Sequence, residues 1–293
     1  ATGRYADYAH VCAAQQTLIL VSLVKIIASL VLYKHLYQDV QETLTSLFNE
    51  ESIAKVVIVD NGAHCGWLST LTHEKLDVIT LPINRGFGAG HNAVITRYRQ
   101  QAEFILICNP DIAFAQGEVD KLYAFSVRHQ TGLSIPKVVY PDGSLQHGCK
   151  LLPSPYQLLI RRFISRFSSN INTEYELRNA DYSRPFFAPS LSGCFMLLSR
   201  RALSDVGGFD TRFFLYLEDV DLSRRVCQAQ HVVRYCPDAL VIHESQRRSY
   251  RDVRFLLFHI TSAIRYFNKW GWFSDRQRKS LNQRCLAELP NAK

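Results

Sequence analysis

The sequence predicts an α/β fold: a Rossmann-like, mostly parallel sheet with helices on both faces, followed by a C-terminal amphipathic helical appendage. Three observations predict it. From Ile26 onward, short and continuously apolar runs alternate with amphipathic stretches, the pattern of strands buried on both faces and joined by helices. Two of the apolar runs, KVVIVD and EFILICNPD, finish on Asp60 and Asp111, and the carboxyl ends of parallel strands open onto one crevice. The 293 residues, 47% hydrophobic and 20% charged, suffice for one large core and exclude a disordered chain.

Each element follows in order. Residues 1–25 read as an N-terminal extension. The apolar run 17–33 is broken by Lys25 and falls short of the roughly 20 apolar residues a membrane span needs. It also lacks the layout of a signal peptide, so its second half, Ile26–Tyr33, reads as a buried strand. YQDVQETLTSLF places Val40, Leu44 and Leu47 at helical spacing, and AKVVIVDNG is a strand ending in a turn. A short helix is expected around Trp67–Glu74, then the strand LDVITLPI, the helix GFGAGHNAVITRYRQQ, the strand EFILICNPD and the helix GEVDKLYAFSVRH. After Ile135 the rhythm changes. PKVVYPDGSLQHG reads as a hairpin turning at Asp142-Gly143, and residues 153–190 as a mobile, aromatic loop lining a cleft. SGCFMLLS is a strand, RRALSDVGGFD a short helix closed by glycines, EDVDLSRRVCQAQ a helix, HVVRYCPDALVIHES a strand pair, and DVRFLLFHITSAIRYFNKWGWF a long amphipathic helix. The organisation expected is therefore the extension 1–25, a catalytic domain 26–250 and a basic helical region 251–293.

A net charge of +8 points to an anionic partner: nucleic acid, an acidic membrane surface or a phosphorylated substrate. The eight cysteines show neither a C-x-x-C pair nor zinc spacing, and several lie inside apolar runs. They read as reduced thiols in a cytoplasmic setting.

Four groups of residues can carry chemistry. Asp60 and Asp111, after their strands, can hold a base or ribose, carry a divalent cation such as Mg2+ or Mn2+ beside a diphosphate, or simply cap the turns that follow. The stretch NRGFGAGHN (84–92) joins a strand to a helix; its glycines, Gly86 and Gly88 among them, permit close approach to phosphate, and Arg85 adds charge. A dinucleotide fingerprint belongs in the first strand–helix unit, and this stretch lies in the third, which argues against NAD. In FFLYLEDVDLSRR (213–225), Asp221 has Arg224 and Arg225 at i+3 and i+4, so a surface ion pair accounts for it. Asp219 has no such neighbour and follows an apolar run. It is then either a helix-stabilising first-turn acid or a partly buried general base. His243, at the end of DALVIH, is either structural or a metal ligand beside Asp111.

Taken in order, ASLVLYK (28–34), VVIVDNG (56–62), NRGFGAGHN, NPDI (109–112), SGCFMLLSRRALSDVGGFD (192–210), FFLYLEDVDLSRR and VIHES resemble the family 2 glycosyltransferases of GT-A fold. The likeness is greatest to bacterial dTDP-rhamnosyltransferases of O-antigen and related cell-surface polysaccharides, and it spans about residues 26–245. The resemblance implies that Asp60 holds the nucleotide base with Tyr33 and Arg85 near the nucleotide. It implies that Asp111 is the metal-binding acid of a D-x-D motif whose first position is Asn109 here, and that His243 adds a metal ligand. Asp219 would be the base, with Glu218 adjacent, and Ser192-Gly193 would border donor and acceptor. The donor would be dTDP- or UDP-linked and the metal Mg2+ or Mn2+. A single displacement by an acceptor hydroxyl that Asp219 deprotonates would invert the anomeric centre.

From Arg247 to Arg284 ten Lys/Arg stand against Asp252 and Asp275, interleaved with seven aromatic residues from Phe255 to Phe273. Such a stretch lies on anionic membranes, where a polyprenyl-diphosphate-linked glycan acceptor resides, or packs on the core with a solvated face. The expectation is a peripheral protein on the cytoplasmic side of a bacterial membrane, with no nucleic-acid partner, since no recognised nucleic-acid module is present. An NAD-type oxidoreductase and a noncatalytic nucleotide- or membrane-binding protein are the competing readings.

Overall fold

In the computed structural model, residues 23–158, 173–244 and 253–289 are described. Ten strands and seven α-helices are named in chain order: β1 Val24–Leu32, α1 Gln41–Asn49, β2 Ile53–Asn61, β3 Leu76–Leu81, α2 Phe87–Tyr98, β4 Ala102–Cys108, β5 Ile112–Ala113, α3 Glu118–Arg128, β6 Thr131–Val139, β7 Cys149–Lys150, β8 Ser190–Leu191, β9 Phe195–Ser199, α4 Arg200–Val206, α5 Glu218–Gln228, β10 Val232–His243, α6 Val253–Trp270 and α7 Arg276–Glu288. Eight strands form one sheet in the order β3-β2-β1-β4-β9-β6-β10-β5, and β7 pairs with β8.

The order explains why one edge carries the chemistry. β1 runs parallel to β2 and β4, and β2 to β3. β9 is antiparallel to both β4 and β6, and β10 is parallel to β6. Two reversals cancel, so β6 and β10 point the same way as β1, β2 and β4. The carboxyl ends of β2, β4 and β10, hence Asp60, the NPD turn and His243, therefore share an edge with the start of β9.

The strands are apolar because both of their faces are buried. In β1, Ile26, Ala28, Leu30 and Leu32 pack with Leu44 and Leu47 of α1 and Leu122 and Phe125 of α3. Ile27 turns to the opposite layer, with Val94 and Tyr98 of α2, Leu203 of α4 and Leu222 and Val226 of α5. On that side, Ser29 Oγ lies 2.7 Å from Nδ1 of the wholly buried His91, whose pKa burial pushes down to about 3. A third cluster joins Phe213, Leu217 and Val220 to Tyr266 and Phe267 of α6. The C-terminal helices thus follow the sheet in sequence, yet their inner faces are core: Cys285 and Leu289 belong to the same cluster as β1 and α5.

Some expectations take a different form. The helix around Trp67–Glu74 is a single 3-10 turn, Gly66–Thr70. The hairpin reduces to a turn with Gly143 at φ 80° and one antiparallel bridge, Val139 to Leu145, while the preceding residues belong to the long strand β6. The anticipated strand pair is one strand, β10, whose register slips between Cys236 and Leu240, where Pro237 supplies no N–H to the ladder. Of the mobile loop expected over 153–190, Tyr175, Leu177, Phe186, Phe187 and Ala188 are instead buried in the core, while residues 159–172, like the extension before Leu23 and Arg247, Arg248, Arg251 and Asp252, lie outside the described residues.

Candidate active site

Two hydrogen-bonded groups meet at this edge. The first surrounds the end of β2. Asp60 is buried and spans the turn that follows, accepting from the backbone N–H groups of His64 (3.0 Å) and Cys65 (2.9 Å). The turn-capping role is thus present in full. Tyr33 stands just past β1, where Leu32 pairs in register with Asp60; its exposed ring lies against Gly62 and edge-on to His64. Asn61, which sequence reasoning passed over, organises the next loop. Its buried amide donates to Asn84 Oδ1 and Gly86 O, both at 3.0 Å, and its carbonyl accepts the Arg85 N–H at 3.1 Å. The only sequence signal for it is its place in the D-N-G turn.

The glycine stretch is pinned by protein groups. The Arg85 and Gly86 N–H groups are taken by Asn61 and Asn84, and the Phe87 N–H donates to Phe214 O at 3.0 Å. A Cβ on Gly86, whose φ is 93°, would lie 2.3 Å from Phe214 O, and one on Gly88 would lie 2.6 Å from Phe209 Cβ. These glycines permit close approach by the protein itself: Phe214 and Phe209 lie on them. The Arg85 side chain is exposed and lines an open cavity of about 550 Å³ with Asn92, Arg97 and Thr211.

The second group carries the acids. Asp111 and His243 face each other, Oδ1 to Nε2 at 3.2 Å, with Asn109 Nδ2 3.5 Å from the same ring nitrogen. Gln146, from the turn after β6, holds the imidazole in place. Its Nε2 donates to the His243 carbonyl at 2.7 Å, so its Oε1, 3.0 Å from Nδ1, must accept the Nδ1 proton. Nε2 is thereby directed at Asp111. Burial opposes a charge on His243, but hydrogen bonds to Asp111 and Cys194 outweigh it and raise its pKa to about 10. Burial likewise opposes charge on Asp111, and the His243 contact prevails, holding the carboxyl below its ordinary value. A carboxylate oxygen and an imidazole nitrogen at this spacing, with a bonded amide behind the ring, could together hold a divalent cation such as Mn2+ or Mg2+. Among the described residues no cluster of three or more His, Cys, Asp or Glu side chains suits a metal.

Asp219 and Glu218 open α5. The two residues before the helix, Tyr216 and Leu217, both adopt left-handed backbone at φ 70° and 64°. Two consecutive non-glycine residues in that region mark a turn held against its local preference by its surroundings. Asp219 is half-buried and accepts the Gly193 N–H on Oδ2 at 3.0 Å, with its Cβ against Gly193. Cys194, next in the chain, accepts the Asn109 N–H on its carbonyl at 2.8 Å. Asp219, Gly193, Cys194, Asn109 and the Asp111–His243 pair are thus linked through the start of β9. Glu218 is buried, and its Oε2 has no hydrogen-bond partner among the described residues. Burial, then the charge of Asp219, pushes its carboxyl well above the usual range.

Asp221 is corrected. It is not a surface residue but wholly buried, bound to Arg225 at 2.8 Å, Trp270 Nε1 at 2.8 Å and Lys269 Nζ at 2.7 Å. Arg224 turns away to form a buried two-pronged pair with Asp275 at 2.6 and 2.7 Å.

Comparison with known proteins gives consistent likenesses. The description "Glycosyl transferase family 2" matches residues 30–207, and "Glycosyl transferase family group 2" matches residues 157–282. An N-acetylglucosaminyl-diphospho-decaprenol L-rhamnosyltransferase of Mycobacterium tuberculosis is 30% identical over 222 residues, covering 71% of each chain. The rhamnosyltransferase WbbL of Escherichia coli K12 is 23% identical, covering 84% of this chain and 95% of its own. Among solved structures, GalNAc-T7 with UDP, GalNAc and Mn2+ superposes with TM-score 0.62 at 14% identity, over 85% of this chain and 48% of that one. This chain therefore spans about half the length of GalNAc-T7. The mannosyltransferase PcManGT of Pyrobaculum calidifontis, with GDP-Man and Mn2+, gives 0.57 at 16% identity, over 89% of this chain and 68% of that one. At these identities the structures establish a shared GT-A fold.

Proposed function

The chain belongs to glycosyl transferase family 2 and is a glycosyltransferase, and from that premise we propose an inverting, metal-dependent enzyme with Asp219 as its base. The donor proposed is dTDP-L-rhamnose, a UDP-linked hexose being the second choice. The acceptor is a glycan on polyprenyl diphosphate at an anionic membrane surface, on the face where nucleotide sugars are made. The rhamnosyltransferase relatives, one of them named for a diphospho-decaprenol substrate, support the sugar and the acceptor.

The observation that carries the reading is the hydrogen-bonded path from Asp219 through Gly193, Cys194 and Asn109 to Asp111 and His243. It links the Asp219 carboxylate to the Asp111–His243 pair, which supports reading one as proton acceptor and the other as cation ligands. A divalent ion held by Asp111 and His243 would neutralise charge on the departing diphosphate. The protein's own groups supply the rest. Asp60 and Tyr33 flank the place for the base and ribose, with Arg85 nearby. The Gly193 and Val220 N–H groups, donating to Oδ2 and Oδ1, orient the Asp219 carboxylate, which receives the proton of the acceptor hydroxyl on a remaining lone pair. Glu218 stands beside it, its buried carboxyl pushed above the usual range, which disfavours a second negative charge next to the base.

Calorimetric titration of dTDP and UDP with and without Mn2+, with NADH as control, tests the donor assignment. Nucleoside diphosphate binding that strengthens with Mn2+ is expected; metal-independent NADH binding would overturn it. A donor-hydrolysis screen over nucleotide sugars then identifies the sugar.

A further inference from the structure

The segment that joins α4 to α5 is a loop closed at its base. It leaves α4 beside α2, where Asn92 holds Phe209 with both arms of its amide: Nδ2 donates to the Phe209 carbonyl and Oδ1 accepts the Phe209 N–H, each at 2.8 Å. It ends in the first turn of α5, which carries Glu218, Asp219 and Asp221. Just before that turn, Tyr216 and Leu217 keep left-handed backbone, a conformation that side chains other than glycine hold only where the surroundings impose it. The two ends of the loop must therefore be fixed against each other.

Two cations fix them. Arg225, within α5, donates from Nε to Asp221 Oδ2 at 2.8 Å and from its terminal nitrogens to Val206 O and Gly208 O at 2.8 and 2.7 Å. Lys269 reaches in from the last turn of α6. Its Nζ stands 2.8 Å from Asp210 Oδ2 and 2.7 Å from Asp221 Oδ1, so a single ammonium joins an acid at the start of the loop to one at its end. The three side chains are 20%, 13% and 0% exposed, which leaves water little room to screen them. Each acid has a further partner. Arg212 grips the Asp210 carboxylate with two nitrogens and, ahead of Lys269, holds its pKa below the ordinary value. Trp270 Nε1 donates to Asp221 Oδ1 at 2.8 Å. Without the ammonium, both acids keep these partners, but nothing joins them and their like charges repel.

We infer that Lys269 is a positioning residue for sugar transfer: by bridging Asp210 and Asp221 it closes the loop 210–221, holds the strained turn at Tyr216 and Leu217, and so aims Asp219. The inference rests on Asp219 being the base and adds the group that sets its place. Lys269 acts through Asp221, two residues beyond Asp219 on the same helical turn, and not on the reacting groups. The C-terminal region thereby supports the active site from α6.

The test uses the full chain as wild type, Lys269→Met, Lys269→Arg, Asp210→Asn and the double variant Lys269→Met with Asp210→Asn. Turnover of dTDP-L-rhamnose, dTDP affinity by calorimetry and amide hydrogen exchange are measured for each, well below its melting transition. Lys269→Met is expected to lose turnover by on the order of 10- to 100-fold, the cost of a slightly misplaced catalytic group, with dTDP affinity kept. Exchange should quicken in peptides from 210–221 and stay unchanged in those from 53–61. Lys269→Arg should recover most of the turnover. The double variant should be no slower than Lys269→Met, because either change opens the same bridge. Should Lys269→Met fail to fold, Asp210→Asn carries the same expectations for turnover, affinity and exchange. Wild-type turnover in Lys269→Met, additive losses in the double variant, or an equal loss of dTDP affinity overturns the inference. Lys269→Arg no faster than Lys269→Met overturns it as well. Exchange that quickens alike along the whole chain makes Lys269 a stabilising residue only, which also overturns it. Exchange is read without turnover, so a wild type inactive on every nucleotide sugar counts against the transferase reading and leaves the bridge to be judged by its own peptides.

Discussion

The donor side and the acid side of the site are built in different ways. At the end of β2, Asp60 is held by amides four and five residues away, and Asn61 by a loop 23 to 25 residues on. On the acid side, α5 is anchored by residues about 50 positions away: Asp221 by Lys269 and Trp270, Arg224 by Asp275 and Gln277. Backbone turns at strand ends position Asp60 and Asn61, whereas buried side-chain pairs position the helix that carries Asp219, the proposed base. The two sides should therefore fail differently when broken.

The largest effect is expected at Arg224. It is buried against Asp275, Tyr266 and the face of Trp270, so Arg224→Ala strips the buried Asp275 carboxylate of its two-pronged guanidinium partner and leaves it the Arg278 N–H. Loss of about 3–5 kcal/mol in chemical denaturation is expected, with turnover falling more than dTDP affinity. Asp60→Asn should show the opposite pattern. It weakens hydrogen bonds made to a charged group, costing about 1.5–3 kcal/mol, and should reduce dTDP affinity while sparing turnover at saturating donor. Equal loss of affinity and turnover in both variants would break the comparison.

Gln146→Leu sharpens it at the junction between the two sides. Without the amide the His243 ring is free to turn, and Mn2+ affinity measured by calorimetry should fall about 10- to 100-fold. The smallest effect is expected at Glu218. Its folded-state pKa is raised above the ordinary 4.5, so the folded protein binds the extra proton and stability declines as pH rises above that value. Glu218→Gln should remove this penalty. Its melting temperature should match or exceed wild type at pH 8, and the difference should shrink on acidification toward pH 4. A variant less stable than wild type at pH 8 would contradict the raised Glu218 pKa.

The contrast also explains what the sequence disclosed. Asp60, Asp111 and His243 were legible because each ends an apolar strand, and strand direction alone assigns them to one edge. Asp219 was legible because helical spacing leaves it without a local cation. The same spacing misled at Asp221: i+3 and i+4 neighbours are visible in the sequence, but Lys269 and Trp270, which arrive from another helix, are not. Gln146 and Asn61 left little trace, since an amide is significant only for the groups it meets, 97 and 23 to 25 residues away. The glycines at 86 and 88 were recognised as sites of close approach, but not that Phe209 and Phe214 make it.

The most direct test of the central claim is donor turnover by Asp219→Asn beside its calorimetric affinity for dTDP. The carboxamide keeps the shape and an oxygen for one of the two N–H groups that the carboxylate accepts, those of Gly193 and Val220, but cannot take the acceptor's proton. Turnover should fall by roughly 100- to 10,000-fold with dTDP binding unchanged. Turnover at the wild-type rate would remove Asp219 from the role of base.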